Sequence, residues 1–153
     1  MGSEQGQLFL EDFARGQTYE GSSRHITEAD VLAFAALTGD RHPLHYDAEY
    51  AKATRFGRPV LHGLHLVALT ALGATPLSSR LEASMIALLE QSTRFVKPVF
   101  VNDTVRSEFE VQEVAPRPDR EWGTLKFAIR LVNQRGERVI EGQHVYRVRR
   151  RGA

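Results

Sequence analysis

No Asp, Glu, Lys or Arg occurs from residue 59 to residue 79 of this chain. The stretch approaches the roughly 18–20 residues of a membrane span. It is interrupted, however, by His62, Gly63, His65, Gly73 and Pro76, and its continuous apolar part, residues 66–72 with Thr70 inside, is short. The pattern predicts a soluble helix at about 62–73, on which Leu64, Leu66, Val67, Ala68, Leu69, Ala71 and Leu72 leave no polar face. A helix that is apolar all round has to be surrounded by protein, so the rest of the chain must supply its cover.

The C-terminal half has the pattern of such a cover. Val105, Phe109 and Val111 alternate with Arg106, Glu108 and Glu110; Leu125, Phe127, Ile129 and Leu131 alternate with Lys126, Ala128 and Arg130; Ile140, His144, Tyr146 and Val148 alternate with Glu141, Gln143 and Arg147. Period-2 alternation marks strands with one buried face. Residues 85–96 form a fourth candidate strand, and residues 116–120 and 133–137 read as turns. Helices first and antiparallel strands afterwards predict a single α+β domain, one sheet wrapped on a central buried helix, with a core over about 13–148 and short tails.

Upstream, Thr27 followed by Glu28, Ala29 and Asp30 is a helix-start signature. Val31, Leu32, Phe34, Ala35 and Leu37 then predict a helix over 28–38, closed by Gly39. Asp47 caps a second, short helix at about 48–53, residues 54–61 form a loop, and residues 18–26 hold a strand. At 153 residues the chain suits one domain. It has no cysteine, which removes thiol nucleophiles, cysteine-ligated zinc, iron–sulfur clusters and disulfides. Its net charge of +1 is too small for a general nucleic-acid binder, and the basic run Arg147, Arg149, Arg150, Arg151 reads as a solvated end. Residues 1–6 lack the basic-then-apolar order of a secretory signal, and the chain reads as cytoplasmic, not membrane-bound.

The densest polar chemistry lies in Leu37-Thr38-Gly39-Asp40-Arg41-His42-Pro43-Leu44-His45-Tyr46-Asp47. Asp40 and His45 sit on a turn stiffened by Pro43, where a carboxylate and an imidazole can converge on one water. His45 is suited to proton exchange near neutral pH. Taken singly, each residue also reads as a cap or a turn filler. Further on, His62-Gly63 opens the apolar helix, whose N-terminal N–H groups suit a carbonyl oxygen that gains negative charge. Gly63 either admits a ligand close to its N–H or merely permits tight packing.

Residues 34–40 (Phe-Ala-Ala-Leu-Thr-Gly-Asp), then Pro43-Leu44-His45-Tyr46-Asp47, Tyr50-Ala51, Thr54, Phe56-Gly57 and His62-Gly63 resemble the hydratase motif of MaoC-like dehydratases and (R)-specific enoyl-CoA hydratases. The resemblance runs from about Phe13 to Val148 and includes Phe95-Val96-Lys97-Pro98-Val99 and Asp103-Thr104. It implies a hot-dog fold, and it implies that Asp40 and His45 activate water for addition to a trans-2-enoyl thioester while the Gly63 N–H polarises the thioester carbonyl. His42, Pro43 and His62 are then expected to contact substrate. Such chemistry needs no metal, flavin or nicotinamide; coenzyme A belongs to the substrate. The chain departs from the family at His42, where Asn is usual, and at His65, where a plain apolar residue is usual.

Those departures raise a metal alternative, since His42 and His45, and likewise His62 and His65, lie three residues apart. Against it, no cysteine or carboxylate cluster completes a site. Two further alternatives are a non-catalytic acyl-CoA-binding module and an acyl-CoA thioesterase. Arg55, Arg58, Arg94, Lys97 and Arg106 are candidate partners for coenzyme A phosphates. A sheet wrapped on one helix leaves an open edge, so a homodimer or larger homo-oligomer is expected.

Overall fold

The period-2 segments form the body of the molecule in a computed structural model that describes residues 6–152. Residues 1–5, part of the opening inspected for a targeting signal, lie outside the described residues. The chain runs β1 (Thr18–Glu20), β2 (Arg24–His25), α1 (Glu28–Thr38), α2 (Ala48–Lys52), α3 (Gly63–Ala68), α4 (Leu77–Arg80), β3 (Met85–Phe95), β4 (Thr104–Pro116), β5 (Trp122–Asn133) and β6 (Arg138–Arg149). The strands form one antiparallel sheet in the order β1-β4-β5-β6-β3, with β2 also paired to β4. The domain is α+β, as its periodicities predict.

Alternate residues of the long strands face the helices. Phe109, Val111, Leu125, Phe127 and Tyr146 pack with Leu10, Phe13, Leu72, Leu77 and Leu81. Burying each large side chain contributes about 1.5–3 kcal/mol. A second cluster joins Val31 of α1 and Leu66 of α3 to Leu131 and Ile140 of the sheet. The core reaches back to Phe9 and Leu10, ahead of the residue 13 expected from sequence. The basic C-terminal end is held rather than free: Arg150 pairs with Glu11 at 3.2 Å, Arg151 pairs with Asp12, and the Arg147 guanidinium lies 4.1 Å from the Trp122 ring centroid.

The central helix departs most from expectation. It stops at Ala68, the chain then forms a 3-10 turn at Leu72–Ala74 and the short α4, and among the described residues no helix is long and apolar enough to cross a membrane. The Thr70 hydroxyl donates back to the Val67 carbonyl at 2.6 Å, a local bond that competes with helix continuation. Ala71 already has extended backbone, with ψ of 123°. Nor is α3 surrounded within this chain. His65 and Leu66 are buried, but Leu64 is 71% exposed. The strand expected at residues 18–26 is likewise broken into β1 and β2.

β3 forms one edge of the sheet and exposes Ile86, Leu88, Leu89 and Phe95. Its pairing with β6 shifts register twice near its start. Inside the sheet, His144 Nδ1 lies 2.9 Å from the Tyr146 hydroxyl. Burial pushes the His144 imidazole down to about 4 and the Tyr146 phenol up to about 12, so both are neutral core groups near pH 7.

At Gly142 the edge strand comes close: a Cβ there would lie 2.0 Å from the Ser92 carbonyl oxygen. The obstacle is backbone, so the β3–β6 pairing itself must move to admit a side chain. Gly142→Ala is expected to lower unfolding free energy by about 2–3 kcal/mol, read as a lower denaturant midpoint.

Candidate active site

α1 begins with the Thr27 hydroxyl accepting the Asp30 N–H at 3.2 Å, while Asp30 accepts the Thr27 N–H at 2.8 Å. The Thr27 N–H and the Thr27 hydroxyl, which also donates to the carboxylate at 2.8 Å, together with Arg24 beside it, hold Asp30 down to about 2. The helix ends at Gly39, whose φ of 78° places it in the left-handed region that an ordinary side chain disfavours. The chain reverses there. Asp40 N–H donates to the Thr38 hydroxyl, and Asp40 Oδ1 accepts the His42 N–H, each at 3.3 Å.

His42 caps the 3-10 turn Pro43–His45, its Nδ1 accepting the Leu44 N–H at 3.2 Å. An Asn side-chain oxygen would meet the same donor, so the substitution at residue 42 preserves the cap. Pro43 occupies the first turn of this short helix, where its missing N–H deprives no acceptor. The structure therefore gives His42 and Pro43 parts in shaping the turn that carries His45.

His45 Nδ1 lies 2.7 Å from the Val60 carbonyl oxygen. A carbonyl can only accept, so Nδ1 bears the hydrogen and Nε2 keeps the lone pair. Burial pushes the His45 imidazole below its ordinary value; the Val60 bond and Asp40 act against that, while His62 and His42 add to it. His62 is 2% exposed. Its Nε2–H donates to the main-chain oxygen of Asp40 at 3.0 Å, and its ring stacks on His45 with centroids 3.8 Å apart and planes 25° apart. Its Nδ1 is buried with no partner among the described residues. Asp40, His45 and His62 each offer an atom such that all three lie within 4.8 Å of one another.

These three side chains are close enough to share an ion, a different set from the four histidines considered from sequence. Among the described residues, neither His42 nor His65 joins the cluster. His65 instead stacks on Phe34, centroids 4.8 Å apart and planes 4° apart, and burial pushes its imidazole down. Phe34 also packs on His62, at 5.0 Å.

Gly63 is the first residue of α3, and no side chain caps that end. A Cβ there would lie 3.2 Å from the Phe95 ring. Gly63 opens on a cavity of about 230 Å³ shared with Arg55, Phe95 and Lys97, whereas His45 lines another, of about 260 Å³, with Glu28, Tyr46, Arg58 and Phe100. The structure thus gathers Asp40, His45 and His62 and sets Gly63 one residue beyond. Of the candidate phosphate ligands, Arg58 is the one on the His45 cavity, its guanidinium 3.8 Å from the Phe100 ring centroid. Arg94 and Arg106 are engaged by Glu141 and by Glu20 and Glu108, and Lys97 by Glu137. Two site contributors went unread in the sequence, Thr38 and the Val60 carbonyl. The first was signalled by its place before Gly-Asp; the second carries no signal, since any residue has a carbonyl.

A long antiparallel sheet wrapped on a short central helix is the hot-dog fold. A protein from Mycobacterium tuberculosis described as a double hot-dog fold superposes with a TM-score of 0.77 over 97% of this chain and 46% of that one, at 21% identity. The family model described as a MaoC like domain matches residues 12–128, and the chain belongs to the MaoC-like family. An (R)-specific enoyl-CoA hydratase of Aeromonas caviae is 37% identical over 126 residues, 82% of this chain and 89% of that protein. A 3-hydroxybutyryl-CoA dehydratase of Methylorubrum extorquens is 34% identical over 113 residues, 74% of this chain and 69% of its own length.

The cap at residue 42 can be tested directly. His42→Asn keeps an acceptor for the Leu44 N–H and is expected to leave stability within about 0.5 kcal/mol, whereas His42→Ala removes it and costs about 1 kcal/mol. Denaturant unfolding of both variants checks the difference.

Proposed function

We propose that the protein is a hydro-lyase that adds water across the double bond of trans-2-enoyl-CoA thioesters to give (R)-3-hydroxyacyl-CoA, and catalyses the reverse dehydration. The observation that carries this reading is the pairing of Asp40 with a His45 whose Nε2 lone pair is left free by the Val60 bond. Groups within 4.8 Å of one another can share a single water, each at a normal hydrogen-bond distance. The relatives named above, a hydratase and a dehydratase acting on CoA thioesters, support it.

In this reading Asp40 orients the water and His45 Nε2 takes its proton as the oxygen bonds to C3. The C2–C3 π electrons shift toward the thioester, whose oxygen becomes enolate-like and is met by the N–H of Gly63 at the uncapped start of α3. The proton that completes C2 returns from the Asp40/His45 pair. Atoms balance with water alone, so no cofactor is assigned. A cytoplasmic location belongs to the same proposal.

Hydration of crotonyl-CoA and longer enoyl-CoA thioesters, followed by loss of enoyl absorbance, is the test. Asp40→Asn and His45→Asn are each expected to lower kcat by about 10²–10⁴-fold; undiminished turnover in both overturns the assignment. Release of free thiol without hydration would indicate a thioesterase, and the protein contributes no thiol of its own. Because burial lowers the His45 pKa, and a base must be unprotonated to act, kcat/KM is expected to fall toward acid with an apparent pKa below 6.5.

We also propose a homodimer formed through β3. Its unpaired edge and exposed Ile86, Leu88, Leu89 and Phe95, with Leu64 of α3, form apolar surface that a second copy would cover. Sedimentation is expected to give twice the chain mass; a monomer at every concentration would contradict it.

A further inference from the structure

His62 touches both members of the proposed reacting pair without being exposed to anything that reacts. Its Nε2–H holds the main-chain oxygen of Asp40 at 3.0 Å, and its ring lies flat against that of His45 at 3.8 Å. On its outer side Phe34 packs at 5.0 Å. The ring is 2% exposed and lines neither the cavity of His45 nor that of Gly63. We propose that His62 is a positioning residue, an Nε2–H bracket that fixes the separation and orientation of Asp40 and His45 from behind.

The chemistry of the ring favours this role over simple core filling. A phenyl group fills the same volume with no polar atom to desolvate, whereas His62 buries an Nδ1 that has no partner among the described residues. The one polar atom it does use is directed at Asp40. Asp40 itself otherwise makes two long bonds of 3.3 Å, both within its own loop, and the His62 contact reaches it from outside that loop. On the other side, stacking restrains the His45 ring about the axis that its Nδ1–Val60 bond leaves free.

Stacking also has an electrostatic consequence. Two imidazoles 3.8 Å apart resist being charged together, so His62 opposes the protonation of His45. The other charged or titratable groups around His45 are Asp40 and His42 on its own turn, and Tyr46, Glu28 of α1 and Arg58 of the loop before α3 along the shared cavity. Removing His62 leaves those in place.

Two substitutions divide the bracket. His62→Phe keeps the stacked ring and loses the N–H donor; His62→Gln keeps an N–H donor and loses the ring. Each is expected to lower kcat for crotonyl-CoA by about 10–100-fold with KM changed less than about threefold, the pattern of misplaced rather than missing groups. In both, the acid limb of kcat/KM and the NMR titration of His45 are expected to move to higher pH, which a loss of folded protein alone would not produce. Unchanged kcat and an unmoved His45 titration in both folded variants overturn the proposal. The kinetic arm rests on the hydration reading; the titration arm does not. A wild-type protein that hydrates no enoyl thioester would therefore defeat that reading while His62 is still judged by NMR. If neither variant folds, ¹⁵N histidine spectra of the wild-type protein decide: His62 is expected to carry a hydrogen on Nε2, facing the Asp40 carbonyl, and a His62 with its hydrogen on Nδ1 alone overturns the proposal.

Discussion

The backbone of Val60 is the seam on which the site depends. Its N–H donates to the Leu44 carbonyl at 3.3 Å and its carbonyl accepts the His45 Nδ1–H at 2.7 Å, so one residue grips the 3-10 turn at two successive positions. On its other side Val60 bridges to Phe100, and the next N–H, of Leu61, donates to Val99 at 2.9 Å. Residues 99 and 100 lead directly into β4. The turn that carries His45 is thereby referenced to the sheet through main-chain atoms. Bonds of this kind hold position better than exposed ion pairs, because buried backbone groups left unpaired cost about 1–3 kcal/mol each.

The sheet was legible because it is antiparallel with one buried face. Phe109, Phe127 and Tyr146 must point inward, and alternation records that requirement directly. α1 was legible at both ends for a different reason: Thr27 and Gly39 are chemically suited to the two caps they make. The central helix was misjudged in length and in cover. Apolar composition registers that a face avoids water but not which molecule hides it, so Leu64 reads like a core residue while standing exposed in the single chain. Thr70 looks like a tolerated helix residue until its hydroxyl is seen bonding Val67.

The site divides along the same line. Asp40 and His45 are close in sequence and share one turn, so their convergence follows from local spacing and from the family motif. The bracket from His62 spans 22 residues, and nothing in the intervening loop indicates which way its ring turns. Gly63 was placed by its motif beside a helix start, which the structure contains, but the motif does not tell that Gly63 and His45 open on cavities with different linings.

The histidines show why residue type alone does not assign chemistry. His42, exposed, spends Nδ1 as an acceptor and so behaves as the Asn it replaces. His45 spends Nδ1 as a donor, which leaves the lone pair of Nε2 to accept a proton. His144, with Nδ1 beside a phenol and no charge nearby to stabilise a proton, is driven by burial into a neutral core role. In each case the committed nitrogen decides what the other can do. His62 is the instructive extreme, because its second nitrogen is committed to nothing. An unpaired buried acceptor costs about 1–3 kcal/mol, and a phenyl ring would avoid that cost while keeping the contacts with Phe34 and His45. What a phenyl ring cannot do is hold the Asp40 carbonyl. The stability forgone at Nδ1 is thus tied, through one rigid five-membered ring, to the placement of the carboxylate's own backbone, and a flexible amide could meet that carbonyl only by giving up the flat face against His45.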